Sequence, residues 1–215
     1  QLEQLGVRHL ELDCYLDPEG ALYRSPLAIT MAKVAGARVP PFDPEGRLAE
    51  PGIKVLHSPD FDFRTTNETL RDALAEVKTW SDAHAWHVPI FLLLELKSDS
   101  FSGSRPLPWE GDVFAALHRE LLDVWPRERM LTPADVQAEA ATLRDAVKGI
   151  GWPAVDDHRG KVAFLLDNEG ADRDRYVAAT DDTRLLFVSV SREHPLAAWM
   201  KRNDPIGQEA EIREL

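Results

Sequence analysis

The sequence predicts an α/β fold built on a parallel sheet, and it favours a (β/α)8 barrel of the TIM type over an open sheet. Five short apolar runs alternate along the chain with longer segments of helical periodicity. The runs are apolar at consecutive positions rather than at every second one, which is typical of parallel strands buried on both faces. No G-x-G-x-x-G or Walker-type loop follows any run, so the usual nucleotide-binding reason for an open sheet is missing.

The predicted strands are the apolar runs Val7–Tyr15, Ile53–His57, Pro89–Leu96, Lys161–Asp167 and Leu185–Val190. A complete eight-stranded barrel usually needs about 250 residues, whereas this chain has 215. Gln1–Gly6 has the pattern of a last helical turn closed by a glycine cap. We therefore expect a single partial barrel domain over residues 1–215, trimmed at both ends.

Helix-start signals predict three helices between the strands. Thr65–Glu68 has the S/T-x-x-E spacing of a capping box, and apolar residues at helical spacing follow it, which predicts a helix over Asn67–Ala83. An N-cap threonine followed by proline predicts a helix over Thr132–Gly149. A third helix is predicted over Asp112–Val124. The segment Arg38–Gly52, rich in proline and glycine, predicts a long loop.

Charge and composition exclude several classes of protein. The 25 Lys+Arg and 37 Asp+Glu residues give a formal net charge of -12, which disfavours a nucleic-acid binder or a protein held to anionic lipid by charge. The apolar stretch Val88–Leu94 is far shorter than the roughly 18 residues of a transmembrane helix.

The single cysteine, Cys14, excludes an intrachain disulfide and a Cys-only zinc site. By alternation it lies on the apolar face of its strand, where we predict a buried hydrophobe rather than a nucleophile.

Acidic residues stand at the predicted strand ends, where the active sites of parallel barrels form. Glu11 and Asp13 are two residues apart, so both side chains project from one face of the first strand. Glu95 closes a very apolar run. Close carboxylates repel one another unless a cation lies between them, and their oxygens select Ca²⁺ or Mg²⁺ over zinc. The alternatives are solvated acids at an exposed strand end and, for Glu95, a salt bridge with Lys97.

His57 ends the second predicted strand, where a barrel would bring it to the same rim as the acids. Histidine suits acid–base catalysis, although an isolated histidine is more often a packed or surface residue. His118 falls within a predicted helix, where we expect exposure to solvent. Asp167–Asn168 fits either the rim or a turn that caps the next helix. Together the acids and His57 predict a metal-assisted reaction on a phosphate ester, with histidine as acid or base.

The chain also carries longer motifs, and these resemble the bacterial and fungal calcium-dependent phosphoinositide phospholipase C family. The likeness covers nearly the whole chain, and several motifs together make it specific. The motifs are Arg8–Tyr15, Pro51–Asp62, Trp80–His84, Leu92–Lys97, Gly151–Pro153, Arg159–Asn168 and Lys201–Pro205.

This resemblance implies a phospholipase-C-type barrel that hydrolyses phosphatidylinositol-type lipids, with calcium as cofactor and peripheral contact with a membrane. The family's calcium-binding E-x-D pair and later glutamate match Glu11, Asp13 and Glu95, and its second catalytic histidine matches His57. Its first catalytic histidine and a calcium-binding asparagine belong to a strand upstream of Gln1, so we expect this chain to lack part of the site. The sequence does not separate Ca²⁺ from Mg²⁺, and the family's calcium requirement favours a secreted or periplasmic location.

By the same resemblance, the inositol 2-hydroxyl attacks phosphorus, a cyclic phosphodiester forms and diacylglycerol leaves. Glu11 or Asp13 assists removal of the proton, and His57 steadies the transition state or protonates a leaving oxygen. Eukaryotic relatives carry a lysine-x-lysine pair for ring phosphates at the end of the fifth strand, where this chain has Leu165–Asn168. Polyphosphorylated headgroups are therefore disfavoured.

Two other functions fit the same residues. A glycerophosphodiester phosphodiesterase shares the barrel and a similar E-x-D strand followed by a histidine. A non-catalytic barrel that binds lipid headgroups or protein partners is the alternative outside enzymes. The joint presence of Glu11, Asp13, His57 and Glu95 argues against it.

Overall fold

A five-stranded sheet forms the centre of the molecule. The computed structural model describes residues 1–99 and 103–214. The strands are β1 (His9–Tyr15), β2 (Lys54–Val55), β3 (Ile90–Lys97), β4 (Val162–Leu166) and β5 (Leu186–Val188). They lie in the order β2-β1-β3-β4-β5, and β1, β3, β4 and β5 run parallel to one another. The predicted fold class is confirmed, with part of the strand set of a (β/α)8 barrel in the described residues.

Helices connect the strands and pack against both faces of the sheet. They are α1 (Leu27–Val34), α2 (Leu70–Ala83), α3 (Val113–Val124), α4 (Pro133–Gln137), α5 (Leu143–Gly149), α6 (Gly170–Thr180) and α7 (Glu209–Arg213). Residues of α2, α3 and α6 pack in one apolar core with β3 and β4. In the part of the chain that the structure describes, no helix combines the length and the apolar character needed to cross a bilayer.

The alternation of side chains along β3 separates the two faces of the sheet. Leu92 and Leu94 are fully buried against the helices. Leu93 points to the opposite face, where it packs with Leu165 and Phe187 in a second, smaller cluster. Glu95 shares that second face, two residues further on. The apolar packing therefore ends where the acidic residues begin, at the carboxyl ends of the parallel strands.

The prediction of a parallel strand over Ile53–His57 was wrong in direction and in extent. β2 is antiparallel to β1 and comprises only Lys54 and Val55, paired with Tyr15 and Cys14. The ammonium of Lys54 is fully buried and lies 3.4 Å from the equally buried carboxylate of Asp17. This ion pair holds β2 against the residues that follow β1. The apolar pattern of the sequence does not predict such a contact.

Two helix predictions also need correction at their boundaries. The helix predicted over Thr132–Gly149 is two helices, α4 and α5, because Ala138 has a positive φ of 47° and Thr142 caps a new helix by accepting from the backbone N–H of Asp145. Helix α2 begins at Leu70, since its cap is Thr69 rather than the predicted capping box at Thr65–Glu68. The helix predicted over Asp112–Val124 is confirmed as α3.

His118 is half-buried on α3, so the expectation of solvent exposure was wrong. Its Nε2 lies 2.9 Å from the hydroxyl of Tyr176 on α6. Burial first, and the charge of Arg184 second, lower the pKa of the His118 imidazole to about 4.

Cys14 is fully buried, as predicted, and burial raises the pKa of its thiol.

Candidate active site

Three carboxylates meet at the carboxyl ends of β1 and β3. Asp13 and Glu95 are direct register partners on these neighbouring parallel strands, which places their side chains one strand spacing apart on the same face. Glu11 lies two residues before Asp13 and projects from that face as well. One carboxylate oxygen from each of Glu11, Asp13 and Glu95 lies within 4.8 Å of the others.

Lys97 stands inside this carboxylate cluster. Its ammonium nitrogen lies 3.4 Å from Asp13 Oδ2 and 3.5 Å from Glu95 Oε2. The salt bridge considered for Glu95 therefore exists, and it extends to Asp13. Burial alone would lower the pKa of Lys97, but the two carboxylates outweigh it and the pKa is raised.

The charges in the cluster are not balanced by Lys97. Burial first, and then the hydrogen bond and charge of Asp13, raise the pKa of Glu95 despite the opposing effect of Lys97. Three carboxylates facing one ammonium leave an excess of negative charge on hard oxygen donors. Such a donor set fits Ca²⁺ better than a transition metal. Glu11 is the exposed member of the set, whereas Asp13 and Glu95 are half-buried.

Asn168 holds the end of β3 in place. Its Oδ1 accepts from the backbone N–H of Leu96 at 2.8 Å, and its Nδ2 donates to the carbonyl of the same residue at 2.9 Å. The side chain thus extends the hydrogen bonding between β3 and β4 beyond Leu166. It does so at Leu96, the residue between Glu95 and Lys97. Asn168 therefore lies at the rim and does not cap the next helix, α6, whose N-cap is Glu169.

Asp167 is buried at the end of β4 and does not face the cluster as a free charge. Its Oδ2 lies 2.5 Å from the ammonium of Lys201, which also lies 3.4 Å from the Asp167 carbonyl. Lys201 is more than thirty residues from Asp167 in the chain, so no local sequence pattern predicts this ion pair. The carboxylate of Asp167 is compensated within the protein.

His57 lies outside the parallel sheet, beyond the short antiparallel β2. Its imidazole is 69% exposed, and its Nδ1 lies 2.7 Å from Asp62 Oδ2. The backbone N–H of the preceding Leu56 donates to the carbonyl of Asp13 at 3.1 Å, which keeps this part of the chain beside β1. The structure brings Glu11, Asp13 and Glu95 together, but His57 is not a member of that group.

Comparison of the whole chain with known protein families identifies one family. The model of the family described as "Phosphoinositide phospholipase C, Ca2+-dependent" matches residues 1–215. A search of curated proteins found no significant match.

Three solved structures of bacterial proteins have a similar fold. A calcium-dependent phosphoinositol-specific phospholipase C from the Gram-negative bacterium Pseudomonas sp. is 25% identical, with a TM-score of 0.58 and coverage of 85% of this chain and 56% of that one. A myoinositol complex of the same kind of enzyme gives 25% identity, the same coverage and a TM-score of 0.59. A Ca²⁺-dependent phosphatidylinositol-specific phospholipase C from Streptomyces antibioticus, 18% identical with a TM-score of 0.54 and coverage of 86% and 57%, shares the fold.

The chain spans little more than half the length of these three structures. The family match nevertheless extends from its first residue to its last. This chain belongs to the Ca²⁺-dependent phosphoinositide phospholipase C family.

Proposed function

We propose that the protein is a calcium-dependent phosphoric diester hydrolase that cleaves phosphatidylinositol-type lipids to diacylglycerol and an inositol phosphate. The observation that carries this proposal is the convergence of Glu11, Asp13 and Glu95 within 4.8 Å at the carboxyl ends of parallel strands. The family match and the likeness to the Pseudomonas enzyme support the same reaction class.

Glu11, Asp13 and Glu95 would hold the calcium ion. When bound there, calcium would neutralise charge on the phosphoryl oxygens and acidify the attacking hydroxyl. Glu11 is the exposed member of the cluster, so its carboxylate is the one best placed to accept the proton of that hydroxyl. Lys97 neutralises only part of the negative charge of the three carboxylates. The charge that remains favours binding of a divalent cation.

His57 would act as the general acid. Its imidazole is exposed and hydrogen-bonded through Nδ1, which leaves Nε2 for a substrate oxygen. In the reaction that we propose, the inositol 2-hydroxyl oxygen bonds to phosphorus and the bond from phosphorus to the diacylglycerol oxygen breaks. The hydroxyl proton passes to Glu11, and His57 donates a proton to the departing oxygen. The first product is a cyclic inositol phosphate.

The test uses the full-length protein and identifies the product formed from phosphatidylinositol in mixed micelles, followed by ³¹P NMR in the presence of calcium or of a calcium chelator. We expect a cyclic phosphodiester that appears only with calcium. Replacement of calcium by Mg²⁺ is expected to support less turnover, because Mg²⁺ requires a near-ideal octahedral set of ligands.

Other outcomes separate the alternatives. Glycerol phosphate released from glycerophosphoinositol, without attack on the intact lipid, would identify a glycerophosphodiester phosphodiesterase. Binding of phosphatidylinositol vesicles without any product would indicate a non-catalytic barrel. Either result would overturn the proposed reaction.

A further inference from the structure

We propose that Asp62 is a positioning residue for His57, which selects the imidazole tautomer with its hydrogen on Nδ1 and leaves Nε2 for the substrate. This inference rests on the proposed function, in which His57 exchanges a proton with a substrate oxygen. Neither the sequence motifs nor the family match assigns a role to Asp62.

The chemistry of the contact fixes the direction of the hydrogen bond. Asp62 Oδ2 lies 2.7 Å from His57 Nδ1, which is the length of a charge-assisted hydrogen bond. An ionised carboxylate only accepts, so Nδ1 must carry the hydrogen. In the neutral ring the lone pair is then on Nε2, and in the charged ring Nε2 carries the proton that can be donated. Both states present the same nitrogen to a substrate.

The backbone around the pair forms a closed loop. The N–H of Ser58 donates to the carbonyl of Asp62 at 3.0 Å, and the N–H of Asp62 donates to the carbonyl of Ser58 at 3.1 Å. These two bonds fold the chain back after His57 and return residue 62 to its side. The contact between the two side chains is therefore a consequence of the local backbone, rather than a chance meeting of two mobile surface groups.

Asp60 anchors this loop to the rest of the fold. Its carboxylate is almost fully buried, with 3% of the residue exposed. Oδ1 accepts from the backbone N–H of Leu27 at the start of α1 at 3.0 Å, and Oδ2 accepts from the N–H of Ser104 at 2.7 Å. The second partner belongs to the segment that follows β3, the strand that carries Glu95. The loop is thus tied to the start of α1 and to the segment that follows β3.

A second histidine–carboxylate pair on the surface provides a matched control. His84 Nε2 lies 3.1 Å from Glu3 Oε2, and the two side chains are 41% and 68% exposed, compared with 69% and 66% for His57 and Asp62. His84 lies at the end of α2 and has no place in the proposed reaction. Glu3 Oε2 also accepts from Trp80 Nε1, and substitution of Glu3 by glutamine removes the carboxylate charge beside a histidine that has no role in the proposed reaction.

The experiment measures the tautomer and the kinetics together. Long-range ¹H–¹⁵N NMR on histidine-labelled protein, at a pH where the ring is neutral, is expected to show His57 with its hydrogen on Nδ1. In Asp62→Asn the amide N–H can donate to Nδ1 and stabilise the opposite tautomer, so we expect the signal to change to the Nε2–H form. We also expect kcat to fall about 10- to 100-fold with KM nearly unchanged, less than at a buried dyad because solvent competes.

The controls keep the outcomes distinct. Glu3→Gln should alter neither the His57 signal nor kcat, and unchanged circular dichroism would show that Asp62→Asn is folded. An Nε2–H tautomer in the wild type, or an unchanged tautomer and kcat in Asp62→Asn, would overturn the role of Asp62. Wild-type turnover in His57→Ala would instead overturn the proposed function, whatever the NMR spectrum shows.

Discussion

Removal of the Lys97 charge should strengthen calcium binding. The ammonium of Lys97 lies beside Asp13 and Glu95, so any cation that binds these carboxylates competes with it. In Lys97→Met the side chain keeps a similar length and loses its charge. We expect the variant to bind calcium more tightly and to be less stable without it, because three carboxylates then face one another with no internal counter-ion.

The distances give the size of the effect. At 3.4 and 3.5 Å, each ion pair has a Coulomb energy of about 5 kcal/mol at an effective dielectric constant of about 20, and about 1 kcal/mol in bulk water. The Lys97 side chain is 14% exposed and that of Glu95 is 34% exposed, so the cluster lies between these limits. Allowing for movement of Lys97 away from the carboxylates, we expect a gain of about 1–3 kcal/mol, or roughly 5- to 150-fold in affinity.

Isothermal titration calorimetry at low and high salt measures this gain. The difference between wild type and Lys97→Met should shrink as salt screens the pair. Thermal unfolding should show a larger calcium-induced rise in Tm for the variant, as linkage requires. Equal or weaker calcium affinity in a folded Lys97→Met protein would refute the reasoning, because Lys97 would then not compete with the ion.

Three further predictions concern other residues. His57→Ala should lower turnover about 10²- to 10⁴-fold with little change in Tm, since the side chain is 69% exposed; wild-type turnover would contradict it. The lowered pKa of His118, about 4 against 6.5, means that the unfolded chain binds more protons between these values. Stability should therefore fall by about 3 kcal/mol as pH drops through this window, and urea unfolding should show a smaller fall in His118→Gln; an equal fall would exclude His118 as the cause. Phosphatidylinositol should be cleaved faster than its bisphosphate in identical micelles, because Lys201 is already paired with Asp167; the reverse preference would require other cations at the rim.

The sequence predicted the central strands well because their signal is local. The run predicted over Pro89–Leu96 differs by one residue at each end from β3, Ile90–Lys97. The apolar character of that run comes from burial on both faces of the sheet, which the amino-acid pattern records directly. The direction of β2 could not be predicted in this way, because it depends on pairing with Cys14 and Tyr15 and on the buried ion pair of Lys54.

Some features of the site could likewise be predicted from local sequence, and others depend on tertiary structure. That Glu11 and Asp13 share a face follows from strand geometry, whereas their proximity to Glu95 depends on the register of β1 against β3. The clamp that Asn168 forms on β3 and the bond from His57 to Asp62 depend on side-chain contacts. Both residues fall within the family motifs, but asparagine and aspartate are so common in turns that the sequence did not predict these contacts.

The central claim is that Glu11, Asp13 and Glu95 form one calcium site, and calcium titration of charge-neutral variants tests it most directly. The variants are Glu11→Gln, Asp13→Asn and Glu95→Gln, with Glu139→Gln as a control that removes one exposed carboxylate outside the cluster. We predict that the wild type and the control bind one calcium ion with equal affinity, and that each of the three variants binds at least about 10-fold more weakly. Unchanged calcium affinity in all three variants would contradict the claim.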